Sequence, residues 1–182
     1  DEAIPVDRVL RRLRSAFPDG LRFSVDGFVG ASHELLVARR GTTVSCHPMA
    51  GTAPRRGDPE ADAELAEALR ASPKNTVEHR HTIDLVHDAL LPYCSYLDEE
   101  AEPSVVALAN VQHLATRLEG RLSVPAASVV ELVCVLHPTP AVCGRPRAAA
   151  LDLIDRYEDL DRGRYAGPVG WVDRRGNGSW AV

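Results

Sequence analysis

The sequence predicts an α+β fold in which antiparallel sheets pack against helices, and three observations lead to that class. Helical and extended segments come in blocks, whereas a doubly wound parallel sheet requires strand and helix to alternate. The extended segments alternate with period two and are joined by turn residues. Hydrophobic residues make up 45% of the chain and charged residues 26%, as in globular proteins. No repeat or linker divides residues 1–182, so we expect one domain.

The first part of the chain predicts one helix and then a series of strands. The helix is indicated by apolar residues that share one helical face: Val6, Leu10, Leu13 and Phe17. Pro18-Asp19-Gly20 ends it, because proline and glycine interrupt a helix. From Leu21 to Ala50, the stretches LRFSV and TVSCHPM are extended, and RRGT is typical of a hairpin tip. We therefore predict an antiparallel meander over residues 21–50.

The second part predicts helices, then strands, then helices again. Asp58 to Ala71 is a short helix, and Ser72-Pro73 opens a long one that runs to about Leu97. Its buried stripe is predicted to contain four residues: Ile83, Val86, Leu90 and Leu97. The remaining predicted elements are extended structure over 105–122, helices over 127–137 and 146–158, and a hairpin over 169–182.

The last hairpin breaks off soon after its turn. Val169 to Val172 is one apolar strand, and the returning strand has only the four residues Ser179 to Val182 before the sequence ends. Strands usually run about five or six residues, so a natural terminus seldom falls here. We expect the chain to be an internal segment of a protein roughly twice as long, truncated at both ends.

Charge, the N-terminal residues, apolar runs and cysteine spacing argue against several classes of protein. The formal net charge is -5, and acidic and basic residues are interleaved without the basic stripe that nucleic acids require. The start DEAIP is acidic, unlike a secretory signal, and the longest apolar stretch is too short to span a bilayer. The four cysteines lack the paired spacing of a zinc site. We therefore expect reduced thiols in a cytoplasmic protein.

No single polar residue indicates a function. We predict that Glu78 lies in the first turn of the long helix. The helix dipole favours a carboxylate there whether or not the residue has a function. Glu78 and His81 form one Glu-x-x-His pair, whereas a di-iron bundle requires two. His113, taken alone, is typical of an ordinary strand histidine. The proline-rich stretch HPTPAVCGRPR, taken alone, is an irregular loop between helices.

Taken in order, six segments resemble one family, the chorismate-utilising enzymes. The segments are FVGASHELLVARR, HPMAGTA, SPKNTVEH, VQHLATRLEG, LHPTPAVCGRPRAAALDLI and DRGRYAGPVGWVD with GNGSWAV. They cover nearly the whole chain from about Phe23. Ammonia-using members, such as anthranilate synthase component I, have a Phe-Pro-Ala-Gly-Thr type of loop where this chain has HPTPAVCG at 137–144. That loop is similar to the isochorismate synthase version.

The resemblance implies a reaction and a set of site residues. The substrate is chorismate, and the family binds Mg²⁺ between enzyme glutamates and a substrate carboxylate. Glu34 matches the general acid that protonates the departing C4 hydroxyl while water adds at ring C2. Glu78 matches a Mg²⁺ ligand. The remaining matches are substrate-binding positions. Gly51 and Thr52 match positions near the substrate carboxylate. The pocket walls are matched by His113, Ala141, Val142 and Tyr165.

The chain also departs from the family pattern. His33 stands where the family usually has proline before the acid, and Asn75 replaces an aspartate one turn before Glu78. The lysine that activates water, the carboxylate-binding arginine and the second metal glutamate are expected outside this chain. The remainder of the protein is therefore needed to complete the site, and we expect the 182-residue piece alone to be inactive. Two alternatives stay open: another chorismate enzyme, such as a salicylate synthase, and a degenerate, non-catalytic binding module.

Overall fold

A computed structural model of the chain describes residues 4–18 and 20–182 and confirms the predicted fold class. The helices are α1 (Val6–Ala16), α2 (Pro59–Ala71), α3 (Pro73–Leu90), α4 (Val129–Leu136) and α5 (Arg147–Tyr157), with a short 3₁₀ turn at Leu91–Tyr93. The first strands are β1 (Leu21–Val25), β2 (Phe28–Ser32), β3 (Leu35–Arg40), β4 (Thr43–His47) and β5 (Met49–Pro54). The others are β6 (Cys94–Glu99), β7 (Ser104–Ala107), β8 (Val111–Ala115), β9 (Leu118–Leu122), β10 (Val169–Val172) and β11 (Gly178–Ala181).

The described strands form three antiparallel sheets. A six-stranded sheet has the order β10-β11-β3-β4-β9-β6, a three-stranded sheet the order β5-β8-β7, and β1 pairs with β2. The single meander predicted for residues 21–50 is therefore wrong, because its strands divide among all three sheets. Pro48 separates β4 from β5, and a residue without an N–H cannot continue a hydrogen-bonded ladder.

The main core lies between the six-stranded sheet and helices α3 and α4. It contains Val37 and Val44 of the sheet and Leu132 of α4, none of which is exposed to solvent. Ser128 and Glu131 cap α4 reciprocally, which explains why the helix begins slightly later than predicted. A smaller cluster of Ala53, Leu69 and Leu114 joins α2 to the three-stranded sheet. The two clusters hold the two larger sheets against helices α2, α3 and α4.

The long helix ends earlier than predicted. It stops at Leu90, and Leu97, predicted on its buried stripe, lies instead on strand β6. The sequence contains the cause: Pro92 cannot extend the helical hydrogen-bond ladder, and the chain turns into a strand that pairs with β9. The other three stripe residues, Ile83, Val86 and Leu90, are each 1% exposed, as predicted.

The first helix and the closing hairpin both form, as predicted. α1 forms, although Val6 at its start and Phe17 just after its end each remain 39% exposed, and none of its residues is fully buried. Asp19, predicted to help end this helix, lies outside the described residues. The closing hairpin forms with Val172 opposite Gly178, and β11 also pairs with β3, so it is an interior strand. Among the residues described, no helix has the length and apolar character needed to cross a membrane.

Candidate functional site

Glu34 lies on the short connection between β2 and β3, where hydrogen bonds hold its backbone on both sides. Its N–H donates to Ser32 Oγ at 3.2 Å, and its carbonyl accepts from the Val182 N–H at 3.3 Å. The Ser32 hydroxyl in turn donates to the Val182 carbonyl. Its side chain is partly buried, and Oε1 accepts a hydrogen bond from the Met49 N–H at 3.3 Å. The carboxyl group is therefore presented from a fixed backbone.

Burial raises the pKa of the Glu34 carboxyl to about 7, and the hydrogen bond from Met49 offsets only part of that shift. Removing a carboxylate from water disfavours its charged form. A group with a pKa near the working pH is both protonated often enough and acidic enough to give up a proton during a reaction. Glu34 therefore has the property that a general acid needs.

Gly51, Thr52 and His113 come together where β5 pairs with β8. The register shifts between Ala50 and Thr52, so Gly51 forms a bulge with a φ of +79°. Thr52 lies directly opposite His113, and its Oγ1 is 3.0 Å from His113 Nδ1. The structure thus brings together three of the predicted substrate-binding residues.

We expect Gly51→Ala to destabilise the fold by about 1–3 kcal/mol, because a left-handed φ is costly for any residue with a Cβ. The new Cβ would also lie 3.2 Å from Asn75 Cβ on α3. Gly27→Ala is the matched control, since Gly27 has a φ of +80° but no neighbour within 4 Å. Urea unfolding measures both losses. Equal losses in the two variants would show that the Asn75 contact contributes nothing.

The predicted pocket walls divide between two clefts. Cleft A, of about 690 Å³, lies between the β1–β2 hairpin and the segment after α5, and Ala141, Val142 and Tyr165 line it. Cleft B, also of about 690 Å³, lies beside α1 and is lined by His113. His33 lines both clefts. The wall residues therefore do not share one pocket in this chain, and the clefts meet at the connection that carries Glu34.

Several residues around the site were not predicted from the sequence. The sequence distinguishes His33 only as a departure from the family pattern, yet its ring stacks on that of His113. His79 of α3 is buried, with its Nε2 2.7 Å from Thr116 Oγ1. No sequence signal links these residues, because each partner lies on a separate element far along the chain.

Glu78 stands apart from the clefts. It is exposed and lies in the second turn of α3, since the helix begins at Pro73, so the predicted first-turn position is wrong. The dipole effect is concentrated in the first turn and does not account for Glu78. Within residues 4–18 and 20–182, no three His, Cys, Asp or Glu side chains converge as metal ligands. Glu78 offers one carboxylate, whereas a Mg²⁺ site needs several oxygen ligands.

Comparison with known proteins identifies the relatives of this chain. The sequence profile of the family described as chorismate binding enzyme matches residues 1–182. The isochorismate synthase DhbC of Bacillus subtilis is 40% identical over 100% of this chain and 48% of its own length. The salicylate biosynthesis isochorismate synthase of Pseudomonas aeruginosa is 44% identical over 85% of this chain and 32% of its own.

A solved structure shows the same fold. The menaquinone-specific isochorismate synthase MenF of Escherichia coli superimposes with a TM-score of 0.90 and 28% identity, over 100% of this chain and 43% of that one. The chain therefore spans about half or less of the length of the relatives it matches.

Proposed function

Because the chain belongs to the family of chorismate binding enzymes, we propose that the full-length protein containing it is an isochorismate synthase. One observation carries the proposal: a partly buried carboxyl, Glu34, with its pKa raised to about 7, sits on a connection fixed by hydrogen bonds. Its position in the sequence is the one that the family resemblance assigns to the general acid. The isochorismate synthases among the relatives support the same activity.

The proposed reaction exchanges one hydroxyl for another across the ring of chorismate. Water adds at C2, the ring double bonds shift, and the C4 hydroxyl leaves. Hydroxide is a poor leaving group, so Glu34 delivers a proton to it and the group departs as water. One water enters and one leaves, which makes the reaction an isomerisation. The base that takes the proton from the incoming water is expected outside this chain.

Chorismate carries two carboxylates, and the proposed binding groups suit them. The bulge at Gly51 lets the backbone approach a bound carboxylate closely, since no Cβ intervenes. Thr52 supplies a hydroxyl beside it, and His113, which lies opposite Thr52, is proposed to wall the pocket near the substrate ring. Ala141, Val142 and Tyr165 line cleft A, and we propose that they wall the bound substrate there, with Tyr165 near its enolpyruvyl side chain. We propose that the remainder of the protein closes cleft A and cleft B into one site.

Mg²⁺ is proposed as the cofactor, with Glu78 as one of its ligands. Bound Mg²⁺ would neutralise a carboxylate of the substrate. We expect Glu78→Gln in the full-length protein to weaken Mg²⁺ binding by at least about 10–100-fold, because even loss of a partner that only orients a metal ligand costs that much. Calorimetric titration with MgCl₂ measures this without substrate. Glu64→Gln is the control, because Glu64 is an exposed glutamate on α2. Equal Mg²⁺ affinities in both variants would remove Glu78 from the metal site.

The identity of the product tests the proposed reaction. The full-length protein is incubated with chorismate and Mg²⁺, and the product is identified by chromatography. Isochorismate supports the proposal, whereas salicylate or anthranilate would assign the protein to another chorismate enzyme. A folded protein that makes no product would favour the degenerate binding module. The 182-residue chain alone is expected to show no turnover, because we propose that the base and the further ligands belong to the remainder of the protein.

We also propose a cytoplasmic location. The four cysteines, Cys46, Cys94, Cys134 and Cys143, are all free thiols. Free thiols persist in a reducing compartment, whereas secreted proteins commonly pair them.

A further inference from the structure

His33 and His113 form a stacked pair of imidazoles next to Glu34. Their ring centroids are 5.3 Å apart and their planes differ by 19°. His33 belongs to the connection that carries Glu34, and His113 belongs to β8 of the three-stranded sheet. The pair therefore joins the backbone of the acid to the sheet that carries Thr52. It also lies where cleft A and cleft B meet.

His113 is held at two points, and each fixes a different feature of its ring. Thr52 Oγ1 lies 3.0 Å from Nδ1, which fixes one edge. His33 lies against the face, which fixes the plane. The remaining nitrogen, Nε2, is buried and has no hydrogen-bond partner in the described part of the chain. A buried polar atom without a partner is unfavourable, so a ligand oxygen that bonds to Nε2 would be stabilised.

We propose that His33 is a positioning residue, whose ring sets the plane of His113 and so directs Nε2 to an oxygen of a bound ring acid where the clefts meet. This inference rests on the proposed function. His33 itself needs no contact with the substrate. Its backbone is well suited to the role, because Ser32 and Glu34 on either side are tied to Val182.

The charge state of the pair supports this arrangement. Partial burial lowers the pKa of both histidines; the neighbouring His113 lowers that of His33 further, and the Gly51 backbone offsets part of the shift at His113. The charged groups nearby are Glu34 on the same connection, Arg55 in cleft B, and three residues in cleft A: Glu158, Arg162 and Arg164. Arg55 is already paired with Asp62. Two neutral rings can stack at neutral pH, whereas protonation of both would place like charges 5.3 Å apart.

The test compares His33→Ala with His33→Phe in the full-length protein. Phenylalanine keeps a flat ring for stacking, and alanine removes it. We expect the alanine variant to lose about 10-fold in kcat/KM for chorismate, since small misplacements of a binding group cost that much or more. The phenylalanine variant is expected to stay within about 3-fold of the parent. Circular dichroism and thermal unfolding check that both variants fold.

An NMR measurement without substrate separates the stacking from the chemistry. The ring of residue 33 shifts the ring-proton resonances of His113, and we expect that shift to persist in His33→Phe and to vanish in His33→Ala. Unchanged His113 resonances in the alanine variant, or equal kcat/KM in all three proteins, would overturn the proposal. If the parent makes no isochorismate, the proposed function fails, and the NMR comparison still supports or overturns the stacked pair.

Discussion

Replacing Glu34 with Gln in the full-length protein is expected to lower the rate of isochorismate formation by about 10²–10⁴-fold, the range that a general acid contributes. Gln is nearly the same size and can still accept the hydrogen bond from the Met49 N–H, but it cannot give a proton to the leaving hydroxyl. The rate is measured with saturating chorismate and Mg²⁺. Glu64→Gln, an exposed change on α2, is the control.

The pH dependence adds a second check on Glu34. Its pKa of about 7 means that the acid form is lost as the pH rises through 7, so the parent rate should fall on the alkaline side. A Glu34→Gln variant with the parent rate and pH profile would show that another group delivers the proton.

The same carboxyl should reduce stability as the pH rises. Below about pH 4.5 it is protonated in both folded and unfolded chains, and that is where its contribution to folding is greatest. Between pH 4.5 and about 7 the unfolded chain releases the proton while the folded chain keeps it, so the free energy of unfolding falls. At pH 8, Glu34→Gln is therefore expected to be more stable than the parent, by up to about 3 kcal/mol. A variant that is less active and more stable would identify a group retained for function.

Truncating the main core at Leu132 is expected to cost about 2–5 kcal/mol of the free energy of unfolding, the usual range for a buried leucine changed to alanine. Leu132 lies on α4 with no exposure and packs in the cluster between α3, α4 and the six-stranded sheet. Such a loss is a large fraction of the stability of most domains. Urea unfolding of Leu132→Ala measures it.

Leu153→Ala is the matched control for the core. It makes the same chemical change on helix α5, where Leu153 is 53% exposed, and we expect a change within about 0.5 kcal/mol. A comparable loss at both positions would mean that α5 is covered in the full-length protein, and that the α5 surface belongs to an interface with the rest of the chain.

Most elements were predicted because their signals are local. The helices α2, α4 and α5, the strand β1 and the closing hairpin follow from periodicity and turn residues within each segment. The two errors in extent have a different origin. The long helix was extended past Pro92 because its apolar pattern continues into β6, and the meander was predicted because hydrogen-bond partners of strands are not encoded in their periodicity.

The sequence by itself determined the fold class, because helical and extended segments come in blocks, and it determined the family and the candidate acid, because six segments in order carry the resemblance. Only the tertiary structure decided which of those residues meet. It paired Thr52 with His113, stacked His33 on His113, and separated His113 from the walls of cleft A. It also decided the pKa of Glu34, because the pKa of a carboxyl rises when the surrounding elements exclude water from it. Distances and burial arise from residues far apart in the chain, and no local pattern contains them.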